Sequence, residues 1–166
     1  METHLAYLLL GSNMGQAKLN LKQAVSEIAQ IPIKVKAVSS IYQTKAWGKT
    51  DQADFLNAAL LIETTLEPII LLEKLLEIEH KMGRIRTQKW EERIIDIDIL
   101  LYDSVVTNSP ELTIPHPQIP FRKFTLVPLN QLAPEFIYPG KNVTIKELLA
   151  TCTDDLAVEE VEKTWI

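Results

Sequence analysis

Ile94-Ile95-Asp96-Ile97-Asp98-Ile99-Leu100-Leu101-Tyr102 sets two aspartates, two residues apart, inside an apolar and largely β-branched run. A short run of this composition reads as a β-strand. A charge within it is costly to bury unless it is paired or binds a metal. Strand alternation predicts Ile95, Ile97, Ile99 and Leu101 on one face, and Asp96 and Asp98 on the other with Ile94, Leu100 and Tyr102. The two aspartate Cα atoms then lie about 7 Å apart on that face. At that spacing two carboxylates can grip one or two Mg²⁺ ions. Immediately upstream come Lys81, Arg84, Arg86, Lys89 and Arg93. Cations beside a metal-type acid pair point to phosphate chemistry, and so to an enzyme.

Outward from this segment, residues 5–10 read as a buried strand ending at the turn residues Gly11-Ser12-Asn13. Residues 16–30 read as a helix whose stripe is Leu21, Ala24, Val25 and Ile28. Residues 33–43 alternate as a strand, and 44–54 form a polar loop of the length often used as a lid. Phe55 to Thr64 alternates cleanly. Leu56, Ala58, Leu60 and Ile62 share one face; Phe55, Asn57, Ala59 and Leu61 share the other. A second helix opens at Pro68, shows the stripe Leu71, Leu75, Ile78 and Met82, and is capped by Gly83. The order is strand, helix, strand, strand, helix, strand. This is the βαββαβ pattern of the ferredoxin-like α+β fold, in which the first and last strands are central neighbours.

Seven of the nine prolines follow between Pro110 and Pro139. They predict a proline-rich C-terminal extension of extended segments and turns, with Phe124 to Leu129 as a strand candidate. Thr144-Ile145-Lys146-Glu147 is a capping box opening a short helix. The acidic stretch from Asp154 to Glu162 reads as a solvated face or edge.

At 166 residues and 46% hydrophobic content the expectation is one globular domain, 1–166. The formal net charge of −5 argues against a nucleic-acid partner. A single cysteine, Cys152, allows no intrachain disulfide and fits a reducing cytoplasm. The run from Leu5 to Leu10 is too short for a signal-peptide core, and no stretch approaches the length of a membrane span. The expectation is a cytoplasmic protein, with monomer as the simplest state.

Each polar constellation has a plain structural reading beside the functional one. Asp96 and Asp98 on the plain reading form a wet strand face, but their apolar neighbours favour metal binding. The loop Gly83–Arg93 reads either as a solvated loop whose charges pair with Glu91 and Glu92, or as a polyphosphate clamp. In the clamp, arginine forks hold phosphate oxygens and Trp90 packs on a ring. Asn57 by spacing alone is a polar residue on an exposed face, although an amide beside Phe55 also suits the edge of a heterocycle. His116, between Pro115 and Pro117, reads as a fixed loop histidine. Glu79, off the apolar stripe of its helix, reads as solvated.

Taken in order, these pieces resemble the 6-hydroxymethyl-7,8-dihydropterin pyrophosphokinase family of folate biosynthesis. The likeness rests on Leu10-Gly11-Ser12-Asn13, Ser39 to Thr44, Phe55-Leu56-Asn57-Ala58, Gly83-Arg84-Ile85-Arg86, Trp90 with Arg93, Ile95 to Leu100, and Ile114-Pro115-His116-Pro117 with Arg122 and Phe124. It implies transfer of a pyrophosphoryl group from ATP to a dihydropterin, with AMP released. By that resemblance Asp96 and Asp98 hold two Mg²⁺ ions, and Arg84 and Arg93 assist catalysis. The ATP site maps onto Glu79, Arg84, Trp90, Arg93, His116 and Arg122. The pterin site maps onto Thr44, Phe55, Asn57 and Phe124.

Three departures from the family pattern stand out. Lys89-Trp90-Glu91-Glu92-Arg93 replaces the usual Arg-Trp-Gly-Pro-Arg, Lys45 stands where proline is frequent, and Trp47 is bulkier than the small apolar residue usual there. Two acids near a triphosphate weaken its binding unless they face away. Two rival readings remain: a Mg²⁺-dependent phosphohydrolase, and a non-catalytic ferredoxin-like ligand-binding module.

Overall fold

The computed structural model describes residues 1–45, 53–83 and 93–166. Its first half follows the predicted order: β1 (His4–Ser12), α1 (Ala17–Ile28), β2 (Ile33–Val38), β3 (Ile41–Thr44), β4 (Phe55–Thr64), α2 (Pro68–Lys81) and β5 (Asp96–Tyr102). Among the described residues a six-stranded sheet runs β5-β1-β4-β3-β8, with β2 also paired to β4, where β8 is Glu159–Glu162. Every strand pair in it is antiparallel. The first and last strands of the βαββαβ unit are indeed neighbours, but only β1 is central. β5 ends the strand order, with β1 its one partner strand among the described residues.

The helix stripes fall where the 3.6-residue period puts them. Leu21, Ala24, Val25 and Ile28 of α1, and Leu71, Leu75 and Ile78 of α2, are buried against Ala6, Leu8, Leu10, Ala58, Leu60 and Ile62 of the sheet. Gly83 takes a positive φ of 92°, the left-handed helix end expected of glycine there. β1 runs further than read. Gly11 and Ser12 continue the ladder opposite Asn57 and Leu56, and Ser12 and Asn13 are buried rather than forming an exposed turn.

Two other strand readings change in detail. The segment 33–43 divides at Ser39-Ser40. There the Ser39 hydroxyl accepts from Ala59 N (2.8 Å) and donates to Ser40 O (2.8 Å), so side-chain bonds interrupt the strand. In β5 a register shift pairs Tyr7 with Leu101 but Leu8 with Ile99. The extra residue turns the strand over. Leu101 therefore joins Leu100 on the second face, and Tyr102 joins the isoleucines in the first core, the reverse of strict alternation.

The proline-rich region differs most from expectation. A short hairpin, β6 (Thr107–Asn108) and β7 (Thr113–Ile114), leads through a 3₁₀ turn at Ile119–Phe121 into α3 (Lys123–Leu132) and then α4 (Ile145–Thr151). Phe124 to Leu129 is helix, with Pro128 inside it. Proline costs a helix interior about 3 kcal/mol. Here Thr125, Leu126, Pro128 and Leu129 are buried, and the two leucines pack with Leu9, Leu100, Leu101, Ile145 and Leu148. Burying leucines at about 1.5–3 kcal/mol each outweighs that loss. The region is thus a second helical layer on the opposite face of the sheet from α1 and α2. The N-cap half of the capping box is present: Thr144 caps α4 by accepting from Glu147 N at 3.1 Å.

The C-terminal acidic stretch covers an edge. β8 pairs with β3, Glu162 bonds Lys18 (2.7 Å), and the buried Trp165 indole donates to Ser39 O (2.8 Å). The edge of β3 away from β4 is therefore paired by the chain itself. No helix among the described residues is long and apolar enough to cross a membrane.

Candidate active site

Cross-strand partners in an antiparallel sheet point to the same face. On the α3 face the register lines up Asp96 of β5, Gly11 of β1, Asn57 of β4 and Tyr42 of β3. One row further in, Asp98 lies opposite Leu9, and at the row's outer side Thr44 lies opposite Phe55. These residues floor a cleft enclosing ≈570 Å³, open mouth included. Thr44, Phe55, Asn57, Arg93, Asp96, Asp98, Arg122 and Phe124 all line it, together with Leu9, Gly11 and Lys45. Eight of the twelve expected site residues therefore meet in one cleft. Arg84 and Trp90 lie outside the described residues, as do Trp47, Glu91 and Glu92. Glu79 and His116 are not among the lining residues.

Glycine at position 11 is required by Asn57. A Cβ there would come within 2.7 Å of Asn57 Nδ2, a separation real Cβ atoms essentially never show. The missing side chain lets the Asn57 amide lie over β1 and donate to Leu10 O at 3.1 Å. Asn57 is buried, not on an exposed face, and among the described residues its Oδ1 finds no hydrogen-bond partner. A buried acceptor left unsatisfied costs about 1–3 kcal/mol, which a ligand donor recovers. Phe55 lines the same cleft from two residues away, and Phe124 from α3. The result is a slot with two aromatic rings and a hydrogen-bonding amide, suited to a flat, polar heterocycle.

The other end of the cleft is ionic. Arg93 Nη1 donates to Asp96 Oδ2 at 3.0 Å. Arg122 sits over the Phe124 ring, 5.5 Å from its centroid. Burial lowers the Arg122 pKa, Asp98 pulls it back up, Arg93 lowers it, and Asp96 and Asp154 raise it; this cation shares the cleft with the acid pair. Burial, then the Arg122 charge, lowers the His116 pKa while Asp96 opposes. The Nδ1 atom of His116 accepts from Gln118 N (3.2 Å), and its backbone N donates to Leu100 O (2.9 Å), which pins it to β5.

Glu79 is buried, not solvated. Its Oε2 accepts from Ile97 N at 2.7 Å, between the two aspartates, and so fixes the start of β5 from the helix side. Asn13 is a functional candidate that the sequence reading passed over as a turn residue. Its Oδ1 accepts from Arg93 N (2.8 Å), its backbone N donates to Arg93 O (3.1 Å), and its Nδ2 donates to Ala53 O (3.1 Å). One buried amide thus ties the chain at 53 and at 93 to the end of β1. Two small polar residues directly after an apolar strand were the signal available for it.

Among the described residues no group of three or more His, Cys, Asp or Glu forms a metal cage. Two carboxylates on one face, with cations at hand, suit a hard ion that takes few protein oxygens and fills its shell with phosphate and water. That is the habit of Mg²⁺.

The model of the 7,8-dihydro-6-hydroxymethylpterin-pyrophosphokinase family matches residues 7–134. A 2-amino-4-hydroxy-6-hydroxymethyldihydropteridine pyrophosphokinase of Methylorubrum extorquens is 44% identical over 158 residues, covering 95% of this chain and 98% of that protein. One of Haemophilus influenzae is 39% identical over 150 residues, covering 90% and 93%. Among solved structures, a wild-type Plasmodium falciparum HPPK-DHPS with pteroate aligns with a TM-score of 0.71 and 16% identity, over 90% of this chain. The chain spans 44% of that longer polypeptide, and at this identity the likeness speaks for the fold. With the matched residues running from β1 through α3, and two relatives aligned over nearly their full lengths, the chain belongs to the 7,8-dihydro-6-hydroxymethylpterin-pyrophosphokinase family.

Proposed function

We propose that this chain is a single pyrophosphokinase domain, 1–166, that moves the β- and γ-phosphates of ATP together onto the hydroxymethyl group of a 6-hydroxymethyl-7,8-dihydropterin. The hydroxymethyl oxygen forms a bond to Pβ. The bond from Pβ to the oxygen bridging the α- and β-phosphates breaks, and its electron pair leaves on AMP. The hydroxyl proton passes to solvent or phosphate oxygen. The observation that carries the reading is the row Asp96–Gly11–Asn57, with Asp98 one row further in, which puts two carboxylates beside a slot for a heterocycle on one sheet face.

Phe55 and Phe124 take the pterin ring between them. Asn57 meets its polar edge with the unsatisfied Oδ1, and Thr44 lies at the rim. Arg93 and Arg122, with Arg84 outside the described residues, neutralise triphosphate charge. Trp90, His116 and Glu79 complete the ATP side, Glu79 through its hold on Ile97. Asp96 and Asp98 would hold two Mg²⁺ ions, which would supply positive charge to offset that of the triphosphate. The protein itself positions and neutralises, and needs no covalent step. A cytoplasmic monomer acting on small molecules is consistent with this reading.

A phosphohydrolase is less well supported. It calls for a further acidic ligand on the neighbouring strand, where Asp96 faces Gly11 and Asp98 faces Leu9. Tracing the γ-phosphorus of labelled ATP separates the two: label ending in the pterin product supports the proposal, and label released as free phosphate refutes it.

A further inference from the structure

Asp154 lies beyond the family-matched residues 7–134, in a stretch whose sequence reads as solvated acid. Its side chain is instead built into the second helical layer. Oδ2 accepts from Lys123 N at 3.0 Å, and Oδ1 accepts from Leu156 N at 3.1 Å, so both carboxylate oxygens are held. Lys123 is the first residue of α3, and the residue before it, Arg122, makes no side-chain cap of its own. A helix start leaves its first N–H groups without intrahelical partners, and a carboxylate there is favoured by both the hydrogen bond and the helix dipole. The cap that α3 lacks locally is thus supplied across 31 residues by the segment after α4.

Lys123 sits between the two α3 residues that line the cleft, Arg122 and Phe124. We infer that Asp154 is a positioning residue for the proposed reaction: by holding Lys123 N it sets the Arg122 cation and the Phe124 ring at their places in the cleft. The inference rests on the reading of that cleft as the pyrophosphokinase site.

The test compares three variants of the full chain in steady-state assays of AMP release, with thermal melts alongside. Asp154→Ala removes the cap, and the KM values for ATP and for the dihydropterin each rise about fivefold, the ratio one N-cap converts to. Asp154→Asn keeps an oxygen acceptor for Lys123 N and restores KM close to wild type. Thr144→Ala removes a cap of the same kind from α4, none of whose residues lines the cleft. It lowers Tm by a similar few degrees, about 2–4 °C, and leaves both KM values unchanged. Equal KM values in Asp154→Ala and Thr144→Ala overturn the inference, leaving Asp154 only a structural cap. Asp154→Asn as impaired as Asp154→Ala overturns it too, since the hydrogen bond would then not be what positions the segment. The wild-type arm tests the underlying reading separately: no dihydropterin-dependent AMP from wild type sinks that reading and not the placement of Asp154.

Discussion

Gly11→Ala adds one methyl group at the point where the two halves of the cleft meet. The new Cβ would stand 2.7 Å from Asn57 Nδ2, about 1 Å inside ordinary contact distance. β1 cannot retreat, because Gly11 is paired on both sides, with Asn57 and with Asp96. The Asn57 amide must therefore swing away, which breaks its 3.1 Å bond to Leu10 O and turns Oδ1 from its place in the slot. Losing one hydrogen bond of this kind costs stability about 1 kcal/mol. Replacing a strand glycine with alanine offsets roughly 0.5–1 kcal/mol of that through the unfolded chain. The variant should thus fold with a urea midpoint near wild type. Binding should suffer far more. A mis-set amide forfeits its contact with the pterin edge, worth about 1.4–2.8 kcal/mol, so the dihydropterin KM rises about 10- to 100-fold. The ATP KM should change by much less. Once Asn57 is alanine the clash is gone, so Gly11→Ala made on top of Asn57→Ala should add little, a non-additivity expected of residues in contact. A Gly11→Ala enzyme with normal dihydropterin KM, or a double variant whose losses simply add, would refute the proposed role of the amide.

Further expectations concern the supports of the site. Glu79→Ala strips Ile97 N of its acceptor and should cost about 1–3 kcal/mol, read as a lower urea midpoint; Glu79→Gln should recover most of it, and an unchanged midpoint in the alanine variant would contradict the bond. Asn13→Ala removes two side-chain bonds to the backbone at 53 and 93, so it should raise the ATP KM through Arg93 as well as lower Tm; a fall in Tm alone would make Asn13 purely structural. His116 has a lowered folded pKa, so the unfolded chain binds its proton more readily and stability should fall as pH drops below about 6.5. His116→Gln should flatten that slope in urea titrations between about pH 5 and 7, and an identical slope would remove His116 as its source.

What the sequence made legible followed from strong periods. The stripes of α1 and α2, the alternation of β4 and the acid pair of β5 are each set by spacing within one element, and each appears in the structure as read. What it hid depended on distant partners. Pro128 argues locally against a helix, yet the buried face of Thr125, Leu126 and Leu129 wins once β1 and β5 are there to receive it. Glu79 looks solvated until Ile97 is placed beside it, and Asp154 until Lys123 is. The bulge that exchanges Leu101 and Tyr102 between faces leaves no mark in composition. Likewise Asn57 looked exposed because its cover, α3, comes from a segment whose prolines pointed to extended chain.

The most direct measurement is AMP formation from ATP and Mg²⁺, with and without 6-hydroxymethyl-7,8-dihydropterin, in wild type and in Asp98→Ala. AMP should appear only with both the dihydropterin and Mg²⁺ present, one molecule per pterin pyrophosphate formed, and should vanish in a folded Asp98→Ala protein. ADP or free phosphate in place of AMP, AMP without the pterin, or undiminished turnover in Asp98→Ala would contradict pyrophosphoryl transfer at this acid pair.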